Sequence, residues 1–430
     1  MPRKLEVTRR DFLKGGATAG AGLAAMSGIT FLTEPQRVFG ANDRIRFGMI
    51  GCGDRAQEDL RAALKSPNVE CVAGADVYTR RLDELKKIVP GAKTYQDFRK
   101  LLDDKSIDAV VIVTPQHQHA LNFVPAIQAG KDVYQEKTMA FNPDHARRMQ
   151  RAFQGSDRIV QVGIQSTSAD VFCKVKELAV PDKMGDITGI HTHMWRNARY
   201  GGWKRPIPAD CDLAHVDWKM FQGESAPREF DPNRVINWRF FWDYAGGNVF
   251  ENMVHQVGFW MKALDLKPPA AVTMSGGNYL SPEMEVPDTM DVAMEMSEKI
   301  LFTWNSGFGN RHYPAEDDYL LGTKGTVSRG RFRTEYIPEG QRRRPPAGAT
   351  PGTPGAAAPE HQESMVPDIV GRDDGTDVHF ANFFDCMRTR KEPNCPFQLG
   401  FNAAIACQMA NRSYRERRRV IWDAEHEEIV

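Results

Sequence analysis

The stretch "RIRFGMIGCGDRAQ", residues 44–57, places an apolar, β-prone run directly before a glycine-rich turn. Gly51, Gly53 and Ala56 fit the pattern G-x-G-x-x-[GA]. In that pattern the first glycine permits a tight turn, and the second lets a pyrophosphate approach the backbone. The small third residue lets the following helix pack closely on the strand. The stretch therefore predicts a strand, a turn and a helix that bind a dinucleotide, with the helix N-terminus facing the phosphates.

The neighbouring charges bear on which dinucleotide binds. Asp54 and Arg55 begin the predicted helix and are further candidate cofactor contacts. Asp76 ends the second predicted strand, where a carboxylate accepts hydrogen bonds from ribose hydroxyls and repels a 2′-phosphate. This favours NAD, although the adjacent Arg80 and Arg81 leave NADP open. The alternative, a tight strand–helix turn without a ligand, is disfavoured by the surrounding strand–helix–strand pattern.

Predicted strands alternate with predicted helices over residues 43–165, which indicates a doubly wound parallel sheet in an N-terminal α/β domain. Beyond it, residues 166–430 contain strands with period-two alternation, typical of an antiparallel sheet with one covered face. Within this second domain, residues 338–376 are rich in Pro, Gly and Ala and predict a flexible loop. Helices are predicted over residues 377–418.

Composition excludes several classes of protein. The formal net charge is zero, which argues against a nucleic-acid groove or a polybasic membrane surface. The seven cysteines are scattered and form no C-x-x-C pair, which argues against a disulfide framework and a cysteine-based zinc site. Two H-x-H pairs, at residues 117–119 and 191–193, lack a third ligand at a suggestive spacing. No metal site is therefore predicted.

Residues 1–42 have the layout of an export signal. Arg9 and Arg10 are followed by Phe-Leu-Lys, and a Gly- and Ala-rich apolar run covers residues 15–32. Paired arginines before such a run are typical of the twin-arginine type. We expect export by that route, to the periplasm or otherwise out of the cytoplasm. The alternative is a membrane anchor, for which the run is short and weakly apolar, and an uncleaved tether stays open.

Two places carry candidates for proton transfer. Glu136 and Lys137 end the predicted strand "DVYQEK", where ligands of open α/β sheets bind. A lysine there could stabilise a developing alkoxide or pass a proton; the alternative is a surface lysine. Glu251 and His255 lie four apart in "GGNVFENMVHQVGFW" and would share a helix face. Imidazole suits proton transfer near neutral pH and a carboxylate can orient it; the alternative is a helix pair without catalysis.

Together these segments resemble the Gfo/Idh/MocA oxidoreductase family, which includes glucose–fructose oxidoreductase and inositol dehydrogenase. The matching pieces are residues 48–56, Asp76, and residues 110–120, 134–138, 246–256 and 322–327. The resemblance implies an N-terminal Rossmann domain and a C-terminal α/β domain with an open, mainly antiparallel sheet. It implies sugars, polyols or their derivatives as substrates, and a homo-oligomer built on that sheet.

The resemblance also implies roles for single residues. Lys137 matches the lysine of the family's Glu-Lys-Pro motif, and His255 matches its catalytic histidine. Glu251 stands where many members have aspartate. The sequence departs from the family at Thr138, which replaces the usual proline and puts in doubt how stiffly Lys137 is held. The implied cofactor contacts are Thr114, Pro115, His119 and Glu136.

An exported NAD enzyme is separated from its cofactor supply. The twin-arginine route carries folded proteins, so we expect a tightly bound NAD that each catalytic cycle returns to its starting state. Coupled oxidation and reduction of two sugars would do this, as would transfer to another acceptor. So would oxidation followed by epimerisation or elimination and then reduction.

Two alternatives remain at this stage. One is NAD-dependent glycoside hydrolysis or lysis by transient oxidation at C3, with His255 as the base. It ranks second because the sequence lacks the Tyr-Pro-Thr-His-Gly stretch of the exported glycosidases. The other is a sugar-binding paralogue without catalysis, against which the intact Lys137 and His255 speak. One or two of five tryptophans are expected beside a sugar ring, although core packing explains most. They are Trp195, Trp203, Trp218, Trp238 and Trp242.

Overall fold

The first sheet places the glycine-rich turn at its centre. In the computed structural model, which describes residues 44–311, 317–339 and 374–430, this sheet has six parallel strands. They are β1 (Ile45–Ile50), β2 (Val69–Ala75), β3 (Lys93–Tyr95), β4 (Ala109–Ile112), β5 (Asp132–Gln135) and β6 (Val160–Val162). Their order is β3-β2-β1-β4-β5-β6. The chain reverses direction across the sheet between β1 and β4, and ligands of such sheets bind at this switch point.

Helices connect the strands and cover both faces of this sheet. They are α1 (Asp54–Ala63), α2 (Thr79–Ile88), α3 (Phe98–Leu102), α4 (His119–Gln128) and α5 (Pro143–Phe153). Every residue of β4 and β5 is buried, as expected for strands covered on both faces. The predicted doubly wound parallel sheet is confirmed.

The second sheet has nine strands and is mixed. Its strands are β7 (Ile187–Trp195), β8 (Ala271–Gly277), β9 (Thr289–Glu295), β10 (Leu301–Gly307), β11 (Asp318–Gly322), β12 (Gly325–Arg329), β13 (Thr334–Pro338), β14 (Val420–Asp423) and β15 (Glu428–Ile429). Their order is β13-β12-β11-β7-β10-β9-β8-β14-β15. Only the β7–β10 pair is parallel among the pairings of the described strands. Burial alternates along β9, so one face is covered. The expected mainly antiparallel sheet is confirmed; an oligomer built on its other face stays a prediction.

The helices of the second half fall before and between these strands. They are α6 (Asp170–Leu178), α7 (Pro181–Met184), α8 (Trp218–Gln222), α9 (Pro232–Ile236), α10 (Val254–Leu264), α11 (Thr376–Thr389) and α12 (Phe397–Glu416). A π-helical turn, Val249–Met253, leads directly into α10. The predicted flexible loop, 338–376, lies mostly outside the described residues, as does the signal segment. The domain boundary at residue 165 stays a prediction.

Helix α11 packs against the first sheet, although in sequence it follows strands β7 to β13 of the second sheet. Phe380, Phe383 and Phe384 on this helix are fully buried in one core cluster with Phe47 of β1 and Tyr134 of β5. The rings of Tyr134 and Phe380 stack with their centroids 4.2 Å apart. The aromatic side of α11 therefore completes the core of the nucleotide-binding half.

A buried polar network fixes α10 to the second sheet. The carboxylate of Asp318 lies 2.6 Å from the guanidinium of Arg329 and accepts a hydrogen bond from Trp260 Nε1 at 2.9 Å. It also accepts one from Gln256, whose Oε1 accepts one from Trp304 Nε1 at 2.7 Å. Burial raises the pKa of Asp318 to about 6, although Arg329 opposes the shift. Because Gln256 and Trp260 are both on α10, the network holds the helix that begins at the candidate catalytic residues.

Candidate active site

The glycine-rich turn leaves open space in front of α1. Gly51 has a φ of +85°, and a Cβ at this position would lie 2.6 Å from the carbonyl oxygen of Val113, so only glycine fits. A Cβ at Gly53 would meet no protein atom within 4 Å. Ala56 is buried against the strand. The free space lies at a helix N-terminus, where phosphate groups bind, so the geometry fits a dinucleotide.

Asp76 follows β2 at the edge of this space. Its two carboxylate oxygens accept hydrogen bonds from the backbone N–H groups of Cys52, at 2.8 Å, and Tyr78, at 2.9 Å. Burial raises the pKa of Asp76, and these two hydrogen bonds oppose the shift. The carboxylate is thus held rigidly beside the turn, at the place where a ribose lies in this fold.

The two arginines near Asp76 already have carboxylate partners. Arg81 lies 2.9 Å from Asp54 and 2.7 Å from Glu84. Arg80 lies 2.9 Å from Asp210. A 2′-phosphate would have to compete for these guanidinium groups and would also face Asp76. The arrangement therefore favours NAD.

Arg55 links the cradle to the end of β5. Its guanidinium points inward, 2.9 Å from the fully buried Asp59 and 3.5 Å from Glu136. Glu136 in turn accepts a hydrogen bond from the backbone N–H of Lys137 at 3.1 Å. A Cβ at Gly163 would lie 2.6 Å from Glu136, so glycine there makes room for the carboxylate. Arg55 and Glu136 thus brace the backbone of Lys137; their contact with the cofactor stays a prediction.

The segment after β4 contributes the next wall. Thr114 and Pro115 line the cavity above the cradle. His119 lies buried behind them, with Nδ1 2.8 Å from the carbonyl oxygen of Thr138 and Nε2 3.0 Å from that of Thr114. Its ring therefore ties together the ends of β4 and β5. Its direct contact with the dinucleotide stays a prediction.

Lys137 and Glu251 meet although they are distant in sequence. Lys137 Nζ lies 3.0 Å from the Glu251 carboxylate and 3.2 Å from its backbone carbonyl. Glu251 Oε1 accepts a hydrogen bond from Gln116 at 2.7 Å. Arg239 Nε lies 3.4 Å from Oε2, the oxygen that also contacts Lys137. Burial raises the pKa of Glu251, but Lys137 and Arg239 outweigh it and lower the pKa to about 2. The carboxylate is therefore ionised at every working pH.

His255 lies on the first turn of α10, just after the π-helical turn that holds Glu251. Such turns are rare overall, and where they do occur they are often at functional sites. The imidazole makes no hydrogen bond to any residue in the described parts of the chain, so both ring nitrogens are available to a ligand. Burial, and next the charges of Lys137 and Arg55, hold the pKa of His255 well below its ordinary value. His255 is therefore neutral at pH 7 and can accept a proton.

A cavity of about 290 Å³ lies over the cradle and extends to Arg239. Of the five tryptophans considered from sequence, Trp203 and Trp238 line it, whereas Trp218 stacks on Phe221 in a core cluster. Gln116 and Arg239 escaped the sequence reasoning. In the sequence, Gln116 stands beside the strand-end proline and Arg239 lies inside the aromatic stretch. Neither position shows where the side chain lies until the tertiary structure is known.

The histidine of the first H-x-H pair that is not part of the cofactor wall is a buried core residue. His117 is buried with Nε2 2.6 Å from the carbonyl oxygen of Phe221, and burial lowers its pKa to about 4. Within the described ranges, no group of three or more His, Cys, Asp or Glu side chains is placed to hold a metal ion.

The family comparisons place the chain among known sequence families. Residues 45–164 match the Gfo/Idh/MocA family, described as "Oxidoreductase family, NAD-binding Rossmann fold". Residues 6–26 match the twin-arginine translocation signal. Among the helices of the described residues, none is both long and apolar enough to cross a membrane; the proposed tether would lie within residues 1–42, outside them.

Two curated relatives and one solved structure illustrate the similarity. A glycosyl hydrolase family 109 protein of Parabacteroides distasonis is 36% identical over 29% of this chain and 31% of its own length. Inositol 2-dehydrogenase of Salmonella typhimurium is 27% identical over 40% of this chain and 52% of its own length. The chain thus spans only a third to a half of these two relatives. The WlbA dehydrogenase from Bordetella pertussis, solved with NADH and UDP-GlcNAcA, covers 88% of this chain and 99% of its own at 20% identity, with a TM-score of 0.64.

Proposed function

Because the chain belongs through its nucleotide-binding half to the Gfo/Idh/MocA oxidoreductases and carries a twin-arginine signal, we propose that it oxidises a sugar, a polyol or a sugar derivative with an NAD that leaves the cytoplasm already bound. The observation that carries this proposal is the convergence of Lys137, Glu251 and His255 at the end of β5. This end of the parallel sheet also holds the dinucleotide cradle, so substrate and cofactor would meet there.

The side chains divide the proton chemistry between them. Neutral His255 accepts the proton of the substrate hydroxyl, since its pKa lies well below its ordinary value. The ammonium of Lys137 stabilises the developing alkoxide, and Glu251 holds that ammonium in place at 3.0 Å. Bound NAD supplies the hydride acceptor. Because an exported enzyme is separated from the cytoplasmic NAD supply, we infer that each turnover restores the cofactor to its starting state, with the hydride passing from the reduced cofactor to a second sugar or to another acceptor.

The cofactor content tests this proposal first. The full chain is purified without added nucleotide and denatured, and the supernatant is assayed for NAD(H) and NADP(H). We expect near-stoichiometric NAD. The variant Gly53→Val should be empty, because its side chain fills the space before α1. Gly91→Val is the matched control, since a Cβ at Gly91 also meets open space, away from the cradle. Rapid exchange of NAD with stoichiometric release of NADH would contradict a carried cofactor.

A second candidate is NAD-dependent glycoside cleavage, which the 36% identity of the glycosyl hydrolase family 109 protein favours over the N-terminal region. In this reaction His255 would remove the C2 proton after transient oxidation at C3, and the C1 substituent would leave. Release of nitrophenol from nitrophenyl glycosides without net formation of NADH would identify it. Net oxidation of a free sugar would identify the first candidate.

A further inference from the structure

Arg239 projects into the cavity with donors that the protein does not use. Its guanidinium carbon lies over the ring of Trp238, 4.2 Å from the centroid, and its Nε lies 3.4 Å from Glu251. Among the described residues, no hydrogen bond reaches either of its terminal nitrogens. The side chain is 29% exposed and lines the cavity over the cradle. These terminal N–H groups are therefore available to a molecule in that cavity.

Arg239 also shares its ion-pair partner. The carboxylate of Glu251 serves Lys137 at 3.0 Å as well as Arg239 at 3.4 Å, and its second oxygen is taken by Gln116. Two cations thus face one carboxylate, and an oxidised nicotinamide would add a third positive charge. An anion in the cavity would balance this excess.

Other arginines of the same chain segment differ from Arg239. Arg228 and Arg234 lie 2.8 Å and 2.9 Å from Asp243, at full ion-pair contact. Neither is among the residues that line the cavity. Arg239 is thus set apart by both its position and its weakly satisfied charge.

A guanidinium presents its outer N–H groups as a planar fork, which matches the two oxygens of a carboxylate. Trp203, on the same cavity, offers an aromatic face for a sugar ring. We propose that Arg239 determines specificity by binding an anionic group of the substrate. The substrate class then narrows to acidic sugars, of which uronates are the simplest. This inference rests on the proposed function for its sugar chemistry.

The test compares sugars that differ only in charge. The full chain with its own cofactor is titrated calorimetrically with D-glucuronate and D-glucose, and with D-galacturonate and D-galactose. In single-turnover experiments, the reduction of the bound cofactor by each of these sugars is followed by absorbance. We expect the wild type to prefer an acid over its neutral partner by roughly tenfold or more. Arg239→Gln should remove that preference. Its affinity for the acidic sugar should fall roughly 10- to 100-fold, while its affinity for the neutral sugar should change little. Arg228→Gln is the control and should behave as wild type.

The outcomes separate this inference from the proposed function. Equal or better binding of the neutral sugars by the wild type would overturn the inference, even if those sugars are oxidised. Loss of bound NAD from Arg239→Gln, with normal circular dichroism, would also overturn it, because Arg239 would then serve the dinucleotide. Selective, Arg239-dependent binding of a uronate without any change in the cofactor would sustain the anion site and count against the oxidoreductase proposal.

Discussion

Lys137 meets a carboxylate that lies 114 residues further along the chain, and this contact helps to join the two halves of the candidate site. In the proposed reaction, a charge-assisted pair of this kind would position the ammonium for the step in which negative charge develops on the substrate. Replacing Lys137 should therefore affect turnover more than cofactor binding.

The variant Lys137→Met removes the ammonium and keeps most of the side-chain volume. We expect kcat to fall by about 100-fold or more, as for loss of a positioned charge or proton donor, with the NAD content unchanged. Lys174→Met is the control, because Lys174 pairs with Glu177 on the surface of α6. Unchanged kcat in Lys137→Met would refute the assignment of Lys137.

His255, as the proposed base, should determine the acid side of the pH profile. Its folded-state pKa is lowered, so the neutral form persists as pH falls below the ordinary imidazole pKa of about 6.5. Activity that requires neutral His255 should stay flat as pH falls through the ordinary imidazole pKa of about 6.5, and should decline only below it. The measurement is kcat against pH, together with histidine Cε1 NMR in which His255→Gln assigns the resonance. A midpoint at or above 6.5 for that resonance would contradict the buried, cation-flanked environment.

Thr138 is where this chain departs from the family pattern, and the structure gives its hydroxyl a partner. Thr138 Oγ1 donates a hydrogen bond of 2.7 Å to the carbonyl oxygen of Phe250, the residue before Glu251. Thr138→Val should lower kcat severalfold and destabilise the protein by about 1–3 kcal/mol, the cost of an unsatisfied buried acceptor. Thr138→Ser keeps the hydroxyl donor and should retain most of the kcat and most of the stability. If the valine variant matches the serine variant, the hydroxyl does not position Lys137 and Glu251.

Residue types could be predicted at this scale better than their contacts. Lys137, Glu251 and His255 stand at informative positions of strand and helix. Gln116 and Arg239 become relevant only because folding brings distant segments to one carboxylate, which no local spacing encodes.

At the scale of elements, the helix that carries His255 depends on one buried ion pair. Arg329→Met would leave the Asp318 carboxylate without its cation, and breaking a buried pair typically costs about 3–5 kcal/mol. The raised pKa of Asp318 sets the sign of the pH effect: protonation favours the folded state, so the loss should shrink as pH falls from 8 toward 5. Denaturant unfolding at both pH values measures this.

The double variant Asp318→Asn/Arg329→Met is the companion to that test. It removes both charges and should be more stable than Arg329→Met alone. If the two variants are equally stable, the cost does not come from an uncompensated carboxylate.

Elements of the first sheet could be predicted because buried apolar runs alternate with amphipathic helices. The pairing of the second sheet could not. Period-two alternation marks a strand with one covered face but does not say which strand lies beside it. The parallel neighbours β7 and β10 are more than a hundred residues apart in sequence. The docking of α11 on the first sheet was unforeseen for the same reason.

At the scale of the whole molecule, α11 joins a late segment of the chain to the sheet that forms first in sequence. Phe380→Ala would open a cavity beside Tyr134 and Phe47 and should cost about 3–5 kcal/mol. Val378→Ala is the control on the same helix, since Val378 is 47% exposed. Thermal unfolding measures both, and retention of NAD after mild heating shows whether the cradle weakens with the core. Equal melting temperatures would mean that α11 adds no stability to the nucleotide-binding half.

The position of α11 also has a consequence for the timing of synthesis. While a ribosome is still translating the second sheet, β1 and β5 are already made, but the aromatic face they share has nothing to cover it. That face closes only when residues 376–389 emerge. Loading with NAD before then would rely on an unfinished core, so we expect the cradle to fill only after translation has passed this helix. For a route that transports folded chains, binding of NAD would then both mark a completely folded chain and supply the cofactor that the chain carries with it.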